Sequence, residues 1–161
     1  MTTTHLPARP YVGVPMEVTL EELPRLVGEA FDRVATMLAA YGTAPRGAVI
    51  RYIAFRPGDV VDIEVGHLVD PAELEGAPIE ADVLPAGVYS VVHHEGPYAE
   101  LGEVTARLMD SWPEAGLVPA MAHTTTGDDY ASWYELYLDM PRPGPRGPEG
   151  AVEVCVLVLP A

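Results

Sequence analysis

The chain has 161 residues and a formal net charge of −15, from 24 acidic and nine basic side chains, and all nine basic ones are Arg. A charge this negative repels phosphate backbones, so we expect no nucleic-acid partner, and without Lys there is no Schiff-base chemistry and no phosphate-binding lysine. Hydrophobic residues make up 48% of the chain, a fraction typical of a folded domain rather than a disordered acidic segment.

The sequence contains no apolar run of membrane-helix length and no hydrophobic stretch of signal-peptide type at its N-terminus. Cys155 is the single cysteine, which excludes an internal disulfide and a thiolate metal cluster. We therefore expect a cytoplasmic protein with no membrane association, in which Cys155 is a buried and inert thiol.

In the first half of the chain, residues 1–9 are expected to form a flexible arm, followed by a short strand at 11–16. A capping-box pattern, Thr-Leu-Glu-Glu, then precedes apolar residues at three- and four-residue spacing, which predicts a helix over about 23–41 that ends at a glycine. Two strands at 49–55 and 60–65 follow, separated by an Arg-Pro-Gly-Asp turn.

The second half repeats this order after a linker at 69–78. Its predicted elements are a strand at 88–94, a helix at 98–112, a polar loop at 119–131, a strand at 133–138, an exposed and irregular Pro/Gly segment at 141–150, and a final strand at 152–159.

The chain thus reads as strand-helix-strand-strand twice, with repeat one at about 10–70 and repeat two at about 82–160. Each repeat is too small to bury a core alone, so the two should pack together. The predicted fold class is α+β, with tandem strand-helix-strand-strand repeats forming one pseudo-twofold domain over 10–161, an antiparallel-rich sheet and a central cleft. That cleft is the expected ligand site.

The strand at 133–138 carries an unusual combination of side chains on one face. Because strand residues alternate between faces, Trp133, Glu135 and Tyr137 point the same way. If this face is buried, Glu135 needs a compensating partner, such as a bound cation attracted also by the rings, or it acts as a general acid or base. If the face is exposed, Glu135 is an ordinary solvated residue, and alternation alone leaves both interpretations open.

A comparison of the two repeats isolates this glutamate. Aligning Tyr52 with Tyr137 places Ile50 opposite Glu135, so the first repeat has a core residue where the second has a charge. Glu64, on the hairpin strand of the first repeat, is a secondary candidate for the cleft, although a solvated strand face explains it equally well.

Metal and cofactor chemistry have little support in the sequence. His93 and His94 are adjacent on a strand and point to opposite faces, and no two histidines have the i, i+4 spacing of a helical metal site. There is also no Gly-rich phosphate loop and no G-x-S-x-G motif. We expect neither a metal nor a cofactor.

One segment of the second half, Leu84–Tyr98, reads LPAGVYSVVHHEGPY. It resembles the hallmark segment of GyrI-like (gyrase-inhibitor-like) domains, which are also the effector-binding domains of AraC-type and MerR-type transcription regulators. The motifs at 19–24, 50–52 and 62–66 are similar to the family's first half. Residues 135–141 look like its E-x-Y-x-x-D-P ending, except that Met140 displaces the acidic residue by one position. The resemblance covers about residues 10–160.

The resemblance implies a central pocket lined by aromatic side chains with an acidic residue at its floor, which in regulator members meets cationic, lipophilic compounds. Carried over by motif, Glu135 is that acid, and Tyr137 and Tyr98 are wall positions. Trp133, Tyr52 and Tyr89 are added as wall residues from strand geometry. We expect none of the family's DNA-binding modules within these residues.

Three functions follow as expectations. The favoured one is a stand-alone domain that binds or sequesters a hydrophobic, cationic small molecule in the aromatic cleft. The second is hydrolysis of a strained electrophilic natural product, such as a cyclopropane. It is implied because some family members resemble hydrolases of such compounds, and it would use Glu135 catalytically with assistance from Tyr98 or Tyr137. The third is a gyrase-inhibitor-like role with a protein partner.

Overall fold

The computed structural model describes residues 1–161. Its strands are β1 (Thr2–Leu6), β2 (Arg9–Thr19), β3 (Ala48–Arg56), β4 (Val60–Leu68), β5 (Asp82–Leu84), β6 (Gly87–Pro97), β7 (Leu117–Pro119), β8 (Met121–Thr124), β9 (Gly127–Tyr130), β10 (Trp133–Tyr137), β11 (Arg142–Gly144) and β12 (Gly147–Pro160). Its helices are α1 (Leu23–Ala40), α2 (Leu101–Asp110) and the single turn α3 (Trp112–Ala115), with 3-10 turns at Pro71–Leu74 and Tyr98–Glu100.

The strands form a curled antiparallel sheet, a half-barrel, whose main path runs β1-β6-β12-β10-β3-β4-β2-β5. Counting outward from the centre of this path, repeat one contributes β3, β4 and β2 on one side, and repeat two contributes β10, β12 and β6 on the other. The central β3–β10 pairing joins the repeats. The predicted α+β fold of two strand-helix-strand-strand repeats with an antiparallel-rich sheet is confirmed.

The pseudo-twofold axis passes through one residue pair. In the β3–β10 ladder Glu135 lies directly opposite Ile50, and these are also the positions that correspond when the repeats are aligned. The same register continues outward on both sides, so that one row crosses six strands. The row consists of Val14, Val65, Ile50, Glu135, Val154 and Val92.

Both long helices cover the face of the sheet to which this row belongs. Thr19 and Glu22 form the reciprocal hydrogen bonds of a capping box before α1, with the Thr19 hydroxyl accepting from the Glu22 amide at 3.2 Å. Helix α1 buries Ala30, and Trp112 of α3 donates its indole N–H to Ser90 Oγ at 3.0 Å. None of the helices combines the length and hydrophobicity that crossing a bilayer requires.

The opposite face of the sheet carries a second, smaller core built around Tyr11, Tyr89 and Tyr134, which are all fully buried. The ladder register makes Tyr11 and Tyr89 equivalent residues of the two repeats. Cys155 lies in this core, and its burial raises the pKa of the thiol to about 12. The thiol is therefore un-ionised at neutral pH, as expected for an inert cysteine.

The N-terminal segment differs from the flexible arm that the sequence predicts. Residues 2–6 form β1, which pairs with residues 87–91 at the start of β6. The segment has too few apolar residues to read as a strand by itself. Backbone hydrogen bonds to β6 order it, because the edge of β6 offers a row of N–H and C=O groups that are otherwise unpaired.

Two segments predicted as irregular are hairpins instead. The polar stretch 119–131 contains the β8–β9 hairpin, which pairs with the end of β3. The Pro/Gly segment 141–150 contains β11, which pairs with the first residues of β12 across a turn at Gly144–Gly147. Neither stretch shows apolar alternation, because 119–131 is mostly polar and 141–150 consists mainly of Pro and Gly. Backbone pairing to a neighbouring strand orders both.

At Gly66 the strands β2 and β4 approach each other so closely that a side chain does not fit. A Cβ at this position would collide with the Val12 carbonyl oxygen and the Gly13 Cα, so Gly66→Ala must push the strands apart and should lower the free energy of unfolding by at least about 2 kcal/mol. Gly102→Ala in α2 is the matched control, since a Cβ there meets nothing within 4 Å. It should raise the stability by about 0.5–1 kcal/mol. Urea unfolding measures both, and equal stabilities would refute the close approach.

Candidate ligand-binding site

Glu135 is the polar member of an otherwise aliphatic row. Its ladder partners on the two sides are Ile50 and Val154, both fully buried, and Glu135 itself is only 5% exposed. It forms no ion pair with any Arg or His of the chain. Of the two interpretations left open by strand alternation, the structure therefore shows the buried one.

Two tyrosine hydroxyls are the polar groups that reach this carboxyl group. The Tyr137 hydroxyl donates to Glu135 Oε2 at 3.1 Å. Burial raises the pKa of Glu135 above its usual range, and hydrogen bonding from Tyr52 and Tyr137 opposes that rise in part. The same surroundings raise the pKa of both tyrosines, first through burial and then through the nearby carboxylate. The site can thus hold a neutral acid or, with a cation present, a carboxylate.

On one side of Glu135 lies a group of four rings, called here the Trp133 group (Tyr52, Phe55, Tyr130 and Trp133), in which Tyr130 packs edge to face and the other three rings are stacked or tilted. The Trp133 ring lies 5.1 Å from Tyr52, 4.8 Å from Phe55 and 4.9 Å from Tyr130, measured between ring centroids. These separations are those of favourable aromatic pairs.

On the other side lies the Tyr137 group (Phe31, His67, Tyr98 and Tyr137). The Tyr137 ring meets Phe31 at 5.7 Å and Tyr98 at 5.3 Å, both edge to face. The His67 ring lies 5.8 Å from Phe31, and its Nε2 is 3.0 Å from the Phe31 carbonyl oxygen. Helix α1 and the 3-10 turn before α2 supply Phe31 and Tyr98, so both repeats contribute to this group.

Each aromatic group contains one buried donor without a partner. These atoms are Trp133 Nε1 in the first group and the Tyr98 hydroxyl in the second. A buried donor left unpaired costs about 1–3 kcal/mol. A bound molecule with a hydrogen-bond acceptor would relieve that cost.

The structure brings together five of the seven residues that the sequence proposes for the site: Glu135, Tyr137, Trp133, Tyr98 and Tyr52. It separates the other two from them. Tyr89 lies in the core on the opposite face, where its hydroxyl donates to the Pro85 carbonyl oxygen at 2.6 Å. Glu64 also points to that face, because its neighbours in β4 point to the helix-covered one, and it accepts from Tyr11 at 2.6 Å.

Besides the His67 ring, three rings of the site were not identified from the sequence. Phe55 is three residues from Tyr52, which under strict alternation places it on the other face. A β-bulge between Tyr52 and Ala54 shifts the phase and brings the rings to 5.8 Å. Tyr130 lies in the segment predicted as a loop. Phe31 belongs to the apolar stripe of its helix, and such a stripe predicts burial but not proximity to Glu135.

Two surface clefts lie elsewhere on the molecule. One, of about 500 Å³, lies between β6 and α2 and includes Met1 and His94, and the other, of about 580 Å³, lies in the segment 71–81. Neither is lined by Glu135. In the helix-covered site, the rings of the Trp133 and Tyr137 groups pack on both sides of Glu135. No three His, Cys, Asp or Glu side chains are arranged to hold a metal ion.

Comparison with solved structures shows the fold. The C-terminal domain of EcmrR matches over 99% of this chain and 97% of its own, with a TM-score of 0.70 and 19% identity. In the EcmrR–DNA complex the match spans 57% of the longer EcmrR chain, with a TM-score of 0.72 and 17% identity. The chain thus has the fold of the EcmrR C-terminal domain.

Two further structures share the fold at lower similarity. SAV2435 bound to tetraphenylphosphonium matches over 98% of this chain and 93% of its own, with a TM-score of 0.58 and 12% identity. A hydrolase from Listeria innocua matches over 98% and 91%, with a TM-score of 0.57 and 13% identity. No family model matches the sequence, and no curated protein matches it either.

The buried carboxyl group predicts a pH-dependent stability. Because the pKa of Glu135 is higher in the folded than in the unfolded chain, the favourable contribution of the protonated acid is complete below the unfolded value near 4.5 and is lost as pH rises through the folded pKa. Glu135→Gln, which stays neutral, should therefore be more stable than the parent at pH 7, with a difference that shrinks toward pH 4.5. Thermal unfolding across this range measures it, and a constant difference would contradict the raised pKa.

Proposed function

We propose that this domain binds a hydrophobic cation between its two helices, with Glu135 as the countercharge and the Trp133 and Tyr137 groups as the walls. The observation that carries the proposal is the burial of Glu135, at 5% exposure, without any cationic side chain to pair with it. A buried acid without a countercharge lowers stability, which a purely structural role does not explain.

The rings on both sides of Glu135 match the proposed ligand. Each aromatic face attracts a cation by about 0.5–2 kcal/mol, depending on how far the pair is desolvated. Their apolar area adds a hydrophobic contribution that needs no directional contacts, which suits a bulky ligand. The carboxylate then adds a full countercharge, which the rings alone lack.

Access to the site is proposed to involve movement of rings rather than entry into an open cavity. Glu135, Tyr52 and Trp133 are buried, whereas Phe31 and Tyr137 are half-buried and form the outer surface of the cluster. Exposed and partly exposed side chains change rotamer on fast timescales. A ligand that displaces them would reach the carboxyl group beneath.

The similarity to SAV2435 supports the choice of ligand class, because that structure contains tetraphenylphosphonium, a cation shielded by four phenyl rings. The similarity to EcmrR, whose matching segment is the C-terminal domain of a chain seen on DNA, supports a sensing role in which ligand binding is read out by another protein. Both are similarities of fold, so the ligand class has to be tested directly.

Tetraphenylphosphonium is expected to bind the domain and Glu135→Gln to weaken that binding at least about tenfold at slightly alkaline pH, since the variant retains shape but loses the charge. Isothermal titration calorimetry measures both affinities. Glu64→Gln is the matched control, because Glu64 lies on the opposite face, and it should bind as the parent does. If Glu64→Gln weakens binding and Glu135→Gln does not, the ligand site is on the other face of the sheet.

A second candidate function is hydrolysis of an electrophilic compound. The specific observation is that burial raises the pKa of Glu135 beside the Tyr137 hydroxyl, so the acid can hold a proton for a leaving atom. A hydrolase from Listeria innocua shares the fold.

The two functions differ in what happens to the ligand. Incubation with cyclopropane-bearing or other strained electrophiles should yield a ring-opened product under mass spectrometry if the domain is a hydrolase, and Glu135→Gln should abolish that product. Recovery of unmodified ligand in a stoichiometric complex would favour binding alone.

A further inference from the structure

The groups that surround Glu135 are all unable to neutralise it. From β3 and from its own strand come the Tyr52 and Tyr137 hydroxyls, and Tyr98 lies behind Tyr137. On this face β12 contributes only valines near Glu135, because its acidic residue Glu153 points to the opposite face of the sheet. The charged side chains of α1 and α2 are all exposed, namely Arg25, Glu29, Asp32, Arg33, Glu103, Arg107 and Asp110.

One ion pair and two histidines also lie on or beside this face. Asp139 and Arg142, near Tyr98, pair with each other at 2.9 Å and are both exposed to solvent. His67 of β4 lies beyond Phe31, with Nε2 at 3.0 Å from the Phe31 carbonyl oxygen. His94 of β6 lies next to α2, with Nε2 at 3.0 Å from the Pro97 carbonyl oxygen. Neither makes an ion pair with Glu135, so the carboxyl group has hydroxyl donors and no cation. An ionised carboxylate in this position is costly, and a proton removes that cost.

We propose that the free domain keeps a proton on Glu135 and that a bound cation takes its place, so that each binding event releases one proton to solvent. The inference rests on the proposed function and specifies its stoichiometry. The exchange is balanced: the neutral acid and the free cation become a carboxylate–cation pair and one solvated proton. The total charge of the site is unchanged, so burying the ligand charge adds no net charge to the core.

This exchange makes binding depend on pH in a defined direction. Where Glu135 is protonated in the free domain and ionised in the complex, the affinity for a permanent cation should rise by up to about tenfold per pH unit. Above the pKa of the free domain the affinity should become constant. A cationic ligand is thus bound tightly in alkaline solution and released on acidification.

Tetraphenylphosphonium is the appropriate probe, because its charge does not change with pH. Titration calorimetry of the full chain from about pH 5 to about pH 9, in two buffers of different ionisation enthalpy, gives both the affinity and the number of protons released. We expect close to one proton in the range where affinity rises, and none where it is constant.

Three variants identify the source of the proton. Glu135→Gln should remove both the proton release and the pH slope, while weak binding through the rings remains. His67→Gln and His94→Gln should retain both, since the proposal gives these side chains no part in the exchange. Loss of the pH slope in a histidine variant would assign the proton to that histidine and overturn the proposal.

The outcomes separate this inference from the proposed function. Glu135-dependent binding with no pH slope and no buffer dependence would overturn the proton exchange and leave the binding function intact. Absence of binding at every pH would overturn both. If Glu135→Gln does not fold, the buffer dependence of the parent, together with a carbon-detected NMR titration of the Glu135 carboxyl group, still decides the question.

Discussion

The structure depends on the central antiparallel pairing of β3 with β10. This ladder joins two repeats that could not each bury a core, and it makes one continuous row of side chains across six strands beneath both helices. Ile50 and Glu135 meet at the pseudo-twofold axis of that row. The position where the repeats contact each other most directly is therefore also the position where they differ in charge.

The difference at the axis has consequences for packing. An aliphatic residue in place of Glu135 would complete a fully apolar row, as Ile50 does from the other repeat. The glutamate instead requires hydroxyls from Tyr52 and Tyr137, which in turn place large rings next to the axis. Further aromatic side chains pack against those rings on each side. The aromatic groups and the buried acid are thus one arrangement, and the stability lost at Glu135 is offset by the area that the rings bury.

The parts of the site that the sequence predicted are those governed by regular periodicity. Trp133, Glu135 and Tyr137 share a face because β10 is a regular strand, and aligning the repeats identified Glu135 as the exception. The parts that could not be predicted depend on irregularity or pairing. The bulge in β3 reverses the face of Phe55, and Tyr130 is ordered by a hairpin that has no apolar pattern.

The fold shows the same division. The apolar spacing of α1, the capping box and the strand pattern of both repeats were sufficient to predict an α+β fold with two matching halves. The edge strand β1 and the hairpins were not predictable in this way, because their order comes from backbone pairing with β6, β3 and β12 rather than from their own side chains.

By itself, therefore, the sequence determined the two-fold repeat of elements, the fold class and the identity of the unusual acid, because each follows from the local spacing of apolar and polar residues. Only the tertiary structure decided whether that acid is buried, since burial depends on which face the helices cover. It also decided that Tyr89 and Glu64 lie apart from it, on the opposite face of the sheet. A strand pattern defines two faces without stating which is the interior, and the packing of α1 and α2 resolves that choice.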